Sequence, residues 1–347
     1  MARPTAEIVR IAWPEGSAAP SADADAALDR AAGVLRGGGL VAIPTETVYG
    51  LAANALDDEA VTAIYRAKGR PSGNPVIVHV ADIASARSLS GAWSDMAERI
   101  AARLWPGPVT VVVPRGPRIG DVVTAGGPTV ALRCPAHPLT RRLIDRCGLP
   151  LAAPSANRSE AVSPTTAAHV LAGLGDRIAL ILDAGPCTRG IESTVIDCTT
   201  SPPTILRPGP LSRASLEDVI GGPVSWAGVP VARGPARSPG QQPRHYAPRT
   251  RLELPDDPIA AVATHLEAGL RLGWLTARVD DPDVRRLAAS RELMVVTMPA
   301  DADAYAARLY STLHALDQRG LDRIIVDPPP STEGWAAVAD RLRRAAS

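Results

Sequence analysis

Residues 40–80 read LVAIPTETVYGLAANALDDEAVTAIYRAKGRPSGNPVIVHV. The apolar run 40–43 ends on Pro44 and is followed by Thr45, Glu46 and Thr47, which predicts a buried strand delivering hydroxyls and a carboxylate at its carboxyl end. A helix over 57–67, acidic in its first turn where the helix dipole favours negative charge, leads into Lys68, Gly69, Arg70, Pro71, Ser72, Gly73 and Asn74. Lys68 is the single lysine among 37 basic residues. A cation just past a helix C-terminus is favoured in any case. The functional reading is that a crowded phosphate site takes a compact ammonium where a planar guanidinium fork does not fit. The glycines permit close backbone approach to an anion and Arg70 adds a second charge, so the loop suits a polyanion such as a nucleotide triphosphate.

Working outward, 347 residues suffice for two domains, each with a real core. A net charge of +1 excludes a global attraction for nucleic acid or membrane, so any electrostatic site is a local cluster. The first residues hold no apolar leader segment and no run of 18 or more apolar residues exists, which predicts a cytoplasmic protein without membrane contact. Cys134, Cys147, Cys187 and Cys198 show no CxxC pairing and no nearby His at metal-ligand spacing, so reduced structural thiols and no protein-held metal are expected. Phe is absent, and the cores must rely on Leu, Ile, Val and Ala.

Before residue 40, Ser21 caps a predicted helix to Arg36, closed by three glycines. After residue 74 come a strand 76–80 carrying His79, a helix 94–104, a strand 109–113 and a strand 129–132 delivering Arg133. An amphipathic helix 137–147 follows, and the apolar run 151–153 turns through Pro154, Ser155, Ala156 and Asn157. A helix opens at Ser163-Pro164, with proline in the favoured first position. Strands 178–182 and 194–196 flank a loop 185–193, and strand 204–206 ends in Arg207-Pro208-Gly209. Short βα units mixed with strands too close together for an intervening helix predict an α/β layer structure on a mixed sheet. No GxGxxG follows a strand and no GxxxxGK[ST] occurs, which excludes the dinucleotide and P-loop architectures.

Composition changes near Gly222. Residues 223–250 are rich in Pro, Gly and Arg without periodicity and read as a linker; His245, Tyr246 and several arginines suit a segment laid across an anionic ligand. From 251 to 347, apolar strands alternate with helices, predicting a small Rossmann-like domain. The expected division is therefore 1–222, a linker 223–250, and 251–347. His137, His169, His265 and His314 have no partner motif and read as surface or packing residues.

Thr47, Arg133, Ser155 with Asn157, Ser193 and Arg207 all stand at predicted strand ends, where ligands of open α/β sheets gather, so one pocket can receive them all. Any one alone is an ordinary turn residue or cap. PTETVYGL, KGRPSGNPVIVHV, WPGPVTVVV, TVALRCP, LAAPSAN, ESTVID and ILRPGP, in this order over about 34–207, resemble the YrdC-type threonylcarbamoyl-AMP synthases. SPGQQPRHYAP and the second domain resemble the long form of that family, in which a linker joins the catalytic domain to a smaller one.

The resemblance implies a YrdC-like twisted mixed-sheet catalytic domain. It also implies synthesis of L-threonylcarbamoyladenylate and pyrophosphate from L-threonine, bicarbonate and ATP, for the threonylcarbamoyl modification of adenosine 37 in tRNA. Partners would be those substrates and a downstream threonylcarbamoyl transferase complex, with tRNA reached only indirectly. By motif, Thr47, His79, Arg133, Ala153 and Ser193 would line the threonine pocket. Lys68, Arg70, Asn74, Thr129, Ser155, Asn157, Ser163, Arg207 and Tyr246 would hold ATP, with Lys68 and Arg70 catalytic on its phosphates. Mg2+ would be carried with ATP, with no tightly bound cofactor.

Two positions depart from the family pattern. Gln241, Gln242 and Pro243 stand where a basic and an aromatic residue are common, and Ala52 stands where glycine is common. Two other classes compete. An RNA-binding module could use the same basic residues, but the net charge is near zero and no aromatic stacking platform accompanies them. A carbamoyl-transfer domain of the hydrogenase-maturation type would carry zinc-finger cysteines, which this chain lacks at suitable spacing.

Overall fold

The computed structural model describes residues 6–12, 22–227 and 245–347. The helix cap assigned to Ser21 and the linker stretch 228–244, with Gln241, Gln242 and Pro243, lie outside the described residues. The described residues form two compact units, one running to Ser159 and resuming at Ser163, the other comprising Glu160–Val162 and the chain from 245 onward.

The first unit contains β1 (Glu7–Arg10), β2 (Val41–Ile43), β3 (Gly50–Asn54), β4 (Ile77–His79), β5 (Val109–Pro114) and β6 (Thr129–Arg133). It continues with β7 (Leu151–Ala152), β8 (Leu180–Asp183), β9 (Thr194–Asp197), β10 (Thr204–Arg207) and β11 (Ser225–Trp226). They make one eleven-stranded sheet in the order β1-β8-β2-β3-β7-β4-β6-β5-β9-β10-β11. Parallel pairs such as β4 with β6 and β5 with β9 neighbour antiparallel ones such as β5 with β6, giving the expected mixed sheet.

Register decides which face is core. Ile77 pairs with Ala131 and His79 with Arg133, and Ala131 faces Val112 across the next ladder. Because side chains alternate faces, Thr129, Ala131 and Arg133 share one face of β6 while Val130 and Leu132 point to the other. Val78, Val130, Leu132, Val111, Val113 and Ile196 belong to the main hydrophobic core. Each fully buried Val, Leu or Ile stabilises by about 1.5–3 kcal/mol. On the opposite face, Ile77, Val112, Ala131 and Val195 form a small separate apolar floor.

Helix Asp58–Lys68 starts where local chemistry dictates: the Asp57 carboxylate accepts from the amides of Glu59 and Ala60. It ends at Gly69, whose φ of 62° is left-handed and lets the Gly69 amide reach the Arg66 carbonyl. Lys68 is thus the last residue of the helix and buried, not the first of an open loop. Elements not foreseen include β1, β11 and the short helix Asp121–Thr124, together with β3, whose Gly-Leu-Ala-Ala-Asn sequence lacks β-branched residues, and helix Ile83–Leu89, capped by Asp82. The helix expected from Ser163-Pro164 instead begins at Ala167, with Thr166 as cap. Ser163 and Pro164 are engaged elsewhere, by Glu192 and by the Tyr49 amide.

The second unit holds β12 (Arg251–Glu253), β13 (Leu272–Thr276), β14 (Leu293–Thr297) and β15 (Arg323–Val326), all parallel in the order β12-β15-β13-β14. Intervening helices, among them Pro258–Glu267 and Ala302–Asp317 with Asp257 and Asp301 as caps, give the expected Rossmann-like pattern. No described helix is long and apolar enough to cross a membrane.

Candidate active site

The turn after β2 is built by hydroxyl chemistry. Thr45 Oγ1 accepts from the amides of Thr47 and Val48 and donates to the Val48 carbonyl at 2.6 Å, so the Thr47 hydroxyl, 2.8 Å away, donates to it. This fixes Glu46 between them, and the Arg189 amide holds the Glu46 carbonyl at 2.8 Å. Glu46 Oε1 lies 2.7 Å from Nη2 of Arg133, both side chains at most one-tenth exposed. The pair is close in distance yet misaligned: neither Glu46 oxygen nor Arg133 Nη2 makes a well-directed hydrogen bond among the described residues. Arg133 Nε donates to the Gly107 carbonyl at 3.3 Å, so one edge of the guanidinium is anchored and the other faces Glu46.

His79 stands beside Arg133 in register and is buried, with Nδ1 unpartnered among the described residues. Burial first, and then the Arg133 charge, push its imidazole down to about 3, so it is neutral at working pH. His137, read from the sequence as a packing residue, places a buried Nδ1 in the field of Glu46. Burial lowers its proton affinity, opposed by the Glu46 charge.

A second centre forms at the end of helix Asp58–Lys68. Lys68 Nζ donates to the carbonyls of Ser155 and Asn157, both at 2.5 Å, and approaches Asn157 Oδ1 at 3.3 Å. The Ser159 amide returns a bond to the Lys68 carbonyl at 2.8 Å. Burial, with the neighbouring Arg70 charge, depresses the Lys68 proton affinity well below the usual amine range, while Glu192 opposes it. Lys68 therefore organises the Ser155–Asn157 turn, a task its exposed-loop reading did not foresee.

Arg70 is also buried and folds its own loop, donating to the carbonyls of Asn74 and Pro75. The Asn74 side chain is buried with neither polar atom partnered among the described residues. Ser163 donates to Glu192 at 2.5 Å, which brings a carboxylate into the same neighbourhood.

Ser193 anchors a third group of contacts. Its hydroxyl is 2.8 Å from that of Thr110, and Arg207 donates to both its hydroxyl and its carbonyl at 3.0–3.1 Å. The chain can pass this close only because Gly209 has no side chain: a Cβ there would sit 2.3 Å from the Thr194 nitrogen. Ala153 is buried, its amide donating to the Ile77 carbonyl. Thr129 lies at the far end of β6 from Arg133, four residues or about 13 Å along the same face. Tyr246 lies in the second unit, buried, stacked at 5.8 Å on Tyr310 with the Arg341 guanidinium 5.0 Å from its ring.

Sequence reading placed the Glu46 carboxylate at a strand end without a partner and passed over Glu192 and Thr110, although each lies inside a quoted motif. Their pairing with Arg133, Ser163 and Ser193 spans between 29 and 87 residues and carries no local signal.

A mixed sheet carrying buried polar and charged side chains, joined in one chain to a small parallel α/β unit, defines the two-domain YrdC class. The family described as "Telomere recombination" matches residues 33–209, and the family described as "Threonylcarbamoyl-AMP synthase, C-terminal domain" matches 211–347. The chain is 41% identical over 331 residues to a threonylcarbamoyl-AMP synthase of Bacillus subtilis, covering 93% of both chains. It is 34% identical to a threonylcarbamoyl-AMP synthase of Schizosaccharomyces pombe, covering 94% of this chain and 90% of that one. The crystal structure of Pyrococcus abyssi Sua5 complexed with L-threonine superposes with a TM-score of 0.85 at 36% identity, covering 98% of this chain and 97% of that one. The chain belongs to the threonylcarbamoyl-AMP synthase family in its long form, and it is an enzyme.

Proposed function

We propose that the chain forms L-threonylcarbamoyladenylate and pyrophosphate from L-threonine, bicarbonate and ATP. The product would serve adenosine 37 of tRNA through a downstream transferase complex, the chain itself touching tRNA only indirectly. The observation that carries this reading is the buried Arg133 at one end of β6 and Thr129 about 13 Å along the same face, a span suited to an amino acid joined through a carbamoyl group to a nucleotide.

Arg133 binds the threonine carboxylate, with neutral His79 and the backbone at Ala153 shaping the pocket, and the hydroxyls of Thr47 and Ser193 read the substrate hydroxyl. Such a pocket disfavours valine because its own buried hydroxyls would be left unpaired. Asn74, Ser155, Asn157, Ser163 and Thr129 hold the nucleotide, over the apolar floor of Ile77, Ala131 and Val195. Lys68 and Arg70, both cationic in binding role, set the Ser155–Asn157 turn and the 70–75 loop and face the phosphates with their charge; Arg207 fixes Ser193. Tyr246 is assigned to the nucleotide by motif resemblance alone.

No enzyme nucleophile is required. The threonine amine attacks CO2 or bicarbonate, the carbamate attacks the α-phosphorus, and catalysis is positioning with neutralisation of the leaving charge. Among the described residues no group of three or more His, Cys, Asp or Glu could hold a metal ion. Mg2+ would come with the ATP phosphates and would supply charge neutralisation on pyrophosphate.

The test is pyrophosphate release from ATP and bicarbonate with L-threonine, L-serine, L-valine or no amino acid. Threonine-selective release is expected, and a folded preparation releasing none with threonine sinks the proposal. The RNA-binding alternative is not favoured by the curated relatives; duplex RNA retained at moderate salt and not competed by ATP would restore it.

A further inference from the structure

A buried ion pair with unsatisfied lone pairs is costly, because desolvation of both charges is repaid only when the remaining hydrogen-bonding positions are filled. The Glu46–Arg133 pair fails that condition in this state. Both carboxylate oxygens and Arg133 Nη2 are buried without a directed hydrogen bond among the described residues, although the two groups approach to 2.7 Å. Glu46 cannot relax out of the site. Its carbonyl is held by the Arg189 amide and the Thr188 hydroxyl, and the Thr45 hydroxyl network fixes the turn on either side.

A zwitterion resolves both deficits at once: its carboxylate completes Arg133 and its ammonium completes Glu46. We propose that Glu46 is the ammonium site of the amino-acid pocket and the group that takes the proton from the substrate amine. Substrate entry exchanges one carboxylate on Arg133 for another and turns Glu46 toward the nitrogen. The proposal rests on the chain taking L-threonine and deepens that reading.

In the step, one N–H bond of the ammonium breaks with its electron pair left on nitrogen, and the proton goes to a Glu46 oxygen. The freed pair forms the N–C bond to the carbon of CO2, supplied from bicarbonate, as one C–O π pair moves onto oxygen. The adduct sheds its second proton to solvent. The groups facing Glu46 are Arg133 from β6, Cys134 just after it, whose thiol burial pushes up to about 11, His137 from the entry to helix Pro138–Cys147, and Cys187 from the loop before β9; His79 reaches it through Arg133. The Cys187 thiol, pushed up to about 12 chiefly by burial, and neutral His79 are poor competitors for the proton.

The consequence is a particular pH signature. With Glu46 present, proton transfer within the complex changes no net protonation, so the rate at saturating threonine is flat through neutral pH. With Glu46→Gln the amine must lose its proton to solvent, and the rate rises about tenfold per pH unit below the amine pKa. The test measures that profile for the intact chain and for Glu46→Gln. It also measures calorimetric affinity for L-threonine against 2,3-dihydroxybutanoate, which has hydroxyl in place of ammonium.

The unmodified chain is expected to prefer threonine by at least about tenfold, the change expected from one charge-assisted hydrogen bond, and Glu46→Gln to lose that preference and gain the steep profile. A flat profile in Glu46→Gln, or a retained preference, overturns the assignment. Equal affinities for the two ligands in the unmodified chain overturn it without any variant. Threonine-dependent pyrophosphate release by the unmodified chain tests the underlying reading separately.

Discussion

Replacing Lys68 by methionine keeps the buried stem and removes only the ammonium. Two charge-assisted bonds at 2.5 Å to the carbonyls of Ser155 and Asn157 are lost, with a weaker one at 3.3 Å to Asn157 Oδ1. Hydrogen bonds to a charged group contribute about 1.5–3 kcal/mol each, so the gross loss is roughly 3–6 kcal/mol. Burial of the ammonium, which depresses its proton affinity, offsets part of this, so the net cost lies below that gross figure. The cost falls on the junction between the end of helix Asp58–Lys68 and the turn over 155–159, where the Ser159 amide reports it by donating to the Lys68 carbonyl. Its hydrogen exchange in Lys68→Met is expected to be at least about tenfold faster than in the parent, the equivalent of about 1.4 kcal/mol, with ATP affinity reduced in parallel. A lysine that served only as an exposed phosphate contact would lower ATP affinity while leaving that exchange rate unchanged, and this result would refute the reasoning.

Two further outcomes are expected. The His79 imidazole has a folded pKa of about 3 against an unfolded value near 6.5, so the unfolded chain binds the extra proton between these values. Stability is complete above about pH 6.5 and falls as the pH drops toward 3, by up to about 4 kcal/mol from this residue; denaturation midpoints at pH 7 and 4 should converge in His79→Gln. Gly209→Ala would drive a methyl group into the backbone at Glu192, Ser193 and Thr194, with the nearest atom at 2.3 Å. Threonine affinity, measured by calorimetry, should fall at least about tenfold if the backbone shift costs the binding site about 1.4 kcal/mol or more, whereas an unchanged value would show that the close approach is not needed.

What the sequence determined by itself is whatever depends on near neighbours. Strands β5, β9 and β10 match their expected limits to within one residue, and the helices beginning after Asp57, Ser94 and Asp301 start where a side chain satisfies the first free amides. The ordered motifs also sufficed to place the chain in its family. Long-range partners decided the rest. Strand β3 exists because β2 and β7 flank it and pair with it, overriding a weak local propensity. The helix after Ser163-Pro164 starts late because Glu192 and Tyr49 claim those two residues first. Lys68 reads as an open-loop cation in one dimension and is a buried clamp in three, since its acceptors lie 87 and 89 positions away. For the same reason the sequence places the Glu46 carboxylate at a strand end but not its partner: a carboxylate gains chemical meaning from the charge opposite it, and only folding brings Arg133 within 2.7 Å.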